Sequence, residues 1–239
     1  MFAVTLSELQ ARTRELADME TLAPGSAFVD DAELTRALNR ALRQLYNKLV
    51  IQRGDDYYAK TSTMQTTAGV PLVALPEDFF QLLTVIASDG TGAFADVPKF
   101  GVHDVAGLRT SESMSAGGIY LYRYRLNAAG LELLPTPRAA HDVTLYYVPT
   151  CPELKLAGDT FDGVNGWEDW ACYAAAIDLL NKEESFEQAA ALAAARGNLD
   201  VQIQALAGTR DAGRPESVQD TRLDWASTRA FARRNDWRL

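Results

Sequence analysis

The feature that most constrains this chain is an apolar stripe with nothing nearby to cover it. Leu34, Ala37, Leu38, Ala41, Leu42, Leu45, Tyr46 and Leu49 recur at helical spacing, giving one face of a helix of about six turns. Asp30 with Glu33 forms a capping pattern ahead of it, and Gly54 is a natural residue to end it. The only element before it is a shorter helix, opened by a Thr5/Glu8 capping box and carrying Leu6, Leu9, Thr13, Leu16 and Ala17 as far as Asp18. Pro24-Gly25-Ser26 separates the two. Residues 1–56 are too short to bury the long stripe, so its partners must come from later in the chain.

The next stretch is of a different kind. From Tyr57 to Pro149 the period changes to short β-type runs broken by Gly and Pro. Strands are predicted at Tyr57–Thr67, Pro71–Leu75, Gln81–Ser88, Phe94–Val97, Ile119–Leu126, Leu131–Leu134 and Val143–Val148. Asn127-Ala128-Ala129-Gly130 reads as a hairpin connection and Thr110–Gly118 as a projecting loop. Helical spacing then returns. Asn165 with Glu168 reads as the cap of a third helix that carries Trp167, Trp170, Ala171, Ala174, Ala175, Ile177 and Leu180. Ser185 with Gln188 opens a fourth, carrying Ala189, Leu192, Ala193, Leu199, Ile203 and Leu206 and closing at Gly208. The many alanines let helix axes approach closely. Together these signals predict an α+β fold: a four-helix bundle formed by N- and C-terminal helix pairs (1–56 and 150–208), an inserted, mainly antiparallel β module (57–149), and an extended C-terminal arm (209–239).

Charge is distributed unevenly over these parts. The 239 residues carry a net charge of -9. Residues 209–239 hold seven arginines against five acids, or +2, which leaves -11 for the rest. A general nucleic-acid binder would carry a basic face on its folded part as well. Cys151 and Cys172 match no zinc, redox or haem spacing and read as reduced thiols. No apolar run reaches the roughly 18 residues of a membrane span, and the opening MFAVTLSELQ does not read as a signal peptide. No membrane partner is expected.

Chemistry-bearing motifs are sparse. His103 and His141 lie in no metal or triad pattern, and Gly90-Thr91-Gly92 reads as a turn between strands. Asp159 to Glu168 superficially suggests a calcium loop, but Phe161 and Gly163 stand where alternate oxygen ligands are needed, so an Asx-turn leading into the Asn165 cap is the better reading. Asp55 and Asp56 are adjacent on an extended chain and point apart, which argues against shared acid/base work. No catalytic, cofactor-binding or metal-ligating residues are therefore assigned. Two arginine groups remain. Arg123 and Arg125 mark a possible contact surface of the β module. Arg210, Arg214, Arg222, Arg233 and Arg234 accompany Trp225, Phe231 and Trp237 in the tail, and Trp and Arg dominate interface hot spots.

Taken in order, LSELQARTRELADME, FVDDAELTRALNRALRQLYNKLV, GDDYY, ALPEDFFQLLTV, YRLNAAGLELLPTP, LYYVPTCPELKLAGDTFDGVNGWEDWACYAAAIDLLNKEES and TRDAGRPESVQD resemble tailed-phage and prophage head–tail adaptor proteins over most of residues 5–220. These include the tubular gatekeeper type of short-tailed phages, in which a helical bundle carries an inserted β module. The resemblance implies a structural virion protein of the neck, present in the host cytoplasm during assembly. It implies a ring, twelve-fold in relatives, that attaches under the portal protein, meets a downstream tail, stopper or nozzle protein, and continues the DNA channel. Genomic DNA then passes without specific binding, and an acidic body suits that passage because phosphate contacts supply most non-specific affinity. By position alone, the arginines and aromatic residues of 209–239 correspond to a portal-binding arm. A ring repeats one heterologous interface, so each subunit offers two different faces; the outer faces of the second and fourth helices are the candidates. The competing reading is a DNA-binding accessory protein that uses its basic aromatic tail. Steep weakening by salt would mark that alternative.

Overall fold

The structure is a computed structural model that describes residues 3–19, 29–53, 57–88, 94–110, 115–116, 119–120 and 122–207. It is an α+β fold. The chain opens with a two-residue strand, β1 (Val4–Thr5), and helix α1 (Leu6–Leu16). The Thr5/Glu8 capping box is formed in both directions: Glu8 N–H donates to Thr5 Oγ1 at 3.3 Å, and Thr5 N–H donates to Glu8 Oε2 at 2.9 Å. The long helix α2 (Asp31–Arg53) follows. Its cap is also as predicted, with Glu33 N–H donating to Asp30 Oδ1 at 2.5 Å.

All eight stripe residues of α2 are buried. What covers them is α4 (Glu168–Lys182), the helix against which α1, α2 and α5 (Phe186–Leu206) all pack. Leu9, Leu38, Leu42, Leu45, Trp170, Ala171 and Ala175 share one apolar core. The alanine-rich side of α4 permits this, because three neighbours can approach a helix whose outer radius is small.

Between α2 and α4 the described residues form two larger antiparallel sheets and one two-stranded ladder. The first has the order β2 (Lys60–Gln65), β10 (Asp142–Pro149), β4 (Phe79–Ser88), β5 (Phe94–Asp96). The second has the order β3 (Leu72–Val73), β9 (Gly130–Leu134), β8 (Arg123–Asn127). Strand alternation sends Val85, Ala87, Val143, Leu145 and Tyr147 of the first sheet and Val73, Leu131 and Leu133 of the second into a shared core. In register, Leu145 faces Val85 and Val143 faces Ala87. Next to Tyr147 in this core, Val148 belongs to the helical core instead. The end of β10 therefore couples both cores, a direct consequence of its two-residue period. The predicted hairpin joins β8 to β9: Asn127 Oδ1 accepts Ala129 N–H at 2.9 Å and Gly130 N–H at 3.1 Å. Gly130 is at φ 143, and a Cβ there would come within 2.5 Å of Val73 O, so only glycine fits.

Several expectations need correction. Asn165 caps nothing: α4 begins at Glu168 without a side-chain cap, and Asn165 N–H donates to Gly163 O at 2.9 Å. Ser185 holds the position before α5 but its side chain makes no cap bond. The predicted strand Ile119–Leu126 is two strands, β7 (Ile119–Tyr120) and β8, in different sheets. The predicted loop 110–118 contains β6 (Ser115–Ala116), paired with β7; its residues 111–114, 117 and 118 lie outside the described residues. A 3-10 turn (Val102–Asp104) and helix α3 (Val105–Thr110) have no counterpart among the predicted elements, nor has β11 (Thr160–Phe161), which pairs with β1. The α1 amides Leu6 and Ser7 donate to Asp159 O and Ala157 O at 2.8 and 3.2 Å. That closes donors a helix start leaves open, and it joins segments far apart in sequence.

Candidate interaction surface

The residues screened for chemistry hold structural posts. His103 is exposed in the 3-10 turn, while the backbone N–H of His141 donates to Thr66 Oγ1 at 2.9 Å and its ring lies 6.0 Å from Tyr122. Burial pushes the thiols of Cys151 and Cys172 up to about 11, so both stay protonated near neutral pH. In the segment that mimics a calcium loop, Asp159 Oδ2 accepts the amides of Lys155 and Leu156 at 2.7 and 2.8 Å, which holds its carboxyl below the usual range. Asp162 Oδ1 accepts Val164 N–H at 2.8 Å, the expected Asx-turn. Among the described residues no group of three or more His, Cys, Asp or Glu is placed to hold a metal ion, and no helix is long and apolar enough to cross a membrane. Asp55, Asp56 and the predicted turn at Gly90, Thr91 and Gly92 lie outside the described residues.

Four features on the described surface remain. The outer face of α2 carries Arg36, Arg40 and Arg43, exposed and one or two helical turns apart. Arg40 reaches Asp178 at 3.4 Å, whereas Arg36 and Arg43 make no ion pair among the described residues. The outer face of α5 is of opposite character. Phe186, Ala190, Ala194, Gly197, Val201 and Ala205 are exposed at helical spacing without a charge among them; Phe186 is 64% and Val201 66% exposed. These are the two faces that the sequence nominated for neighbours.

Among the described residues, the polar side chains that tie α5 to α4 and α2 meet around Trp170. Trp170 Nε1–H donates to Asp200 Oδ1 at 2.8 Å, Lys48 bonds the same oxygen and sits 4.3 Å over the Trp170 ring, and Arg196 lies 5.4 Å from that ring. No sequence motif announces this clasp.

On the β module Arg123 is exposed, while Arg125 is turned inward to the buried Glu132, its Nε and Nη2 donating to Glu132 Oε2 at 3.1 and 2.5 Å. Arg210, Arg214, Arg222, Trp225, Phe231, Arg233, Arg234 and Trp237 lie outside the described residues. The fourth feature is a cleft of about 830 Å³ where the chain passes from helices to sheets, lined by Arg43, Tyr46, Tyr57, Tyr58, Cys151 and Asp162 among others.

An α+β scaffold with exposed apolar and basic helix faces and no assembled chemical centre among the described residues is compatible with a structural protein. The chain belongs to the SU10 adaptor protein family, whose model matches residues 4–228. The resemblance to head–tail adaptors drawn from the sequence is thereby borne out, and the protein is a phage structural adaptor. No curated protein matches the chain.

Proposed function

We propose that this protein is a ring-forming head–tail adaptor of the virion neck, seated between the portal protein and a downstream tail, stopper or nozzle protein. The match to the adaptor family over nearly the whole chain carries this reading. In it, residues 1–56 and 150–208 act as a four-helix bundle, 57–149 as the inserted β module and 209–239 as the portal-docking arm. The ring is dodecameric, and DNA crosses its channel without specific binding.

The contrast between α2 and α5 supports the ring. A heterologous interface needs two different faces per subunit, and the uncharged, partly apolar stripe of α5 and the α2 face around Arg36 and Arg40 differ in that way. The protein acts as structure rather than as an enzyme, and the thiols held protonated by burial agree with that role. Electron microscopy of intact particles tests the reading directly: twelve copies beneath the portal are expected, and absence of the chain from the neck overturns it. For the arm, removal of residues 209–239 should leave the melting transition of the remainder in place while abolishing portal attachment. Trp225→Ala and Trp237→Ala should each weaken attachment by about 2 kcal/mol or more, as hot-spot residues do.

A further inference from the structure

The cleft between helices and sheets is lined by aromatic rings whose hydroxyls are already engaged. Tyr46 O–H donates to Pro149 O at 2.8 Å, Tyr57 O–H to Asp162 Oδ2 at 3.0 Å, and Tyr58 O–H to Asp162 O at 3.4 Å. Tyr46 and Tyr57 each lie 4.8 Å from Tyr58, centroid to centroid. Tyr57 and Tyr58 are half-buried and line the cleft, so part of each ring is open to a ligand.

The charged lining is nearly all spoken for as well. Asp78 accepts Lys60 Nζ at 3.0 Å and Tyr147 O–H at 2.7 Å, Asp162 holds Tyr57 and the Val164 amide, and Glu153 pairs with Lys155 at 3.2 Å. Arg43 is the exception: it is exposed, it lines the cleft, and it makes no ion pair among the described residues. A guanidinium without an ion pair, lining the same cleft as aromatic rings, recognises a carboxylate next to a flat apolar group, through a charge-assisted bond and ring contact. A cationic ligand would have to compete with Lys60 and Lys155 for the carboxylates. The volume falls within the ~300–1,000 Å³ of sites that enclose a small group, so a short segment fits.

We propose that this cleft binds an extended segment of a partner protein that presents a carboxylate beside an aromatic or proline side chain, with the carboxylate on Arg43 and the flat side chain on Tyr57 and Tyr58. The inference rests on the adaptor reading only for the source of the segment. Because the cleft is lined by both crossings between helices and sheets, Tyr57–Lys60 and Pro149–Glu153, a bound segment touches both parts of the fold.

Two measurements on the full chain test it. The first is NMR titration with acetyl-Pro-Asp-Trp-Pro-amide, reading broadening of the indole protons. Affinity should fall at least fivefold with the Asn analogue of the peptide and equally in Arg43→Gln, and stay unchanged in Arg138→Gln, an exposed arginine outside the cleft. No broadening, equal binding of the Asn analogue, or equal loss in Arg138→Gln overturns the proposal. The second places a photo-crosslinking phenylalanine at Tyr57 in assembled particles. A crosslink to a partner segment with an acid beside an aromatic or proline residue is expected; a crosslink to another copy of this chain, or to a segment lacking an acid, overturns it. Absence of the chain from the particles breaks the adaptor reading instead, and the peptide titration still decides the cleft.

Discussion

Helices α2 and α5 pack against the same neighbour, α4, yet they relate to their sequences in opposite ways. In α2 every residue of the predicted stripe, Leu34 to Leu49, is buried, and the opposite face holds Arg36, Arg40, Arg43, Gln44 and Asn47. In α5 the predicted stripe is Ala189, Leu192, Ala193, Leu199, Ile203 and Leu206, and only Ala189 and Ile203 are buried; Leu206 is 51% exposed. The difference lies in what rotation about the helix axis would cost. Turning α2 would exchange leucines for arginines in the core, a loss of several kcal/mol at about 1.5–3 kcal/mol per large apolar side chain. Turning α5 would exchange alanine for alanine at several positions. Its orientation is therefore set by the few groups with specific partners, chiefly Asp200 on Trp170 and Lys48. Apolar surface that burial does not use remains outside, free for a neighbouring chain.

The largest expected effect comes from cutting into the α2 face. Leu42→Ala, at a fully buried site, should cost about 2–5 kcal/mol in urea unfolding, whereas Leu206→Ala on α5 should stay within about 0.5 kcal/mol. Equal costs would erase the contrast between the helices. Next in size is the clasp. Asp200→Ala strands the buried indole N–H of Trp170 and should cost about 1–3 kcal/mol, with loss of hydrogen-exchange protection concentrated in α5. Protection lost evenly over all helices would mean that packing, rather than this polar point, orients α5.

Smaller still in stability, though not in assembly, is Val201→Glu. It should move the unfolding midpoint little, within about 0.5 kcal/mol, while reducing assembly of the proposed ring in sedimentation experiments and incorporation into particles. Unchanged assembly would remove α5 from that proposed interface. The smallest effect concerns α4 itself. Burial raises the carboxyl of Glu168 above its ordinary range, with Arg12 opposing at 3.7 Å. A raised acid favours the fold while protonated, so its contribution is fullest below the ordinary pKa and declines as pH rises through the folded value. Glu168→Gln should remove that decline and raise the melting temperature slightly at neutral pH. A lower melting temperature would mean that the attraction of Arg12 outweighs the cost of burying the charge.

Much of this protein follows from residue order alone. The stripe of α2, the Thr5/Glu8 box, the Asn127 hairpin and the change of period at Tyr57 are local signals, each decided within a few residues by hydrogen-bonding capacity and the geometry of one element. They suffice for the α+β class; the adaptor resemblance rests on the order of particular sequence segments. Other features depend on residues distant in sequence. Asn39 Nδ2 donates to Leu154 O and Asn39 Oδ1 accepts Leu154 N–H, both at 2.9 Å, so a side chain on α2 completes the backbone of a segment 115 residues away. The pairing of β1 with β11, the inward turn of Arg125 onto Glu132 and the cleft around Arg43 are of the same kind. Tertiary structure also chose which side of α5 faces α4. Its alanines make many positions interchangeable, and the burial of Ile203 together with the meeting of Asp200 with Trp170 and Lys48 distinguishes the alternatives.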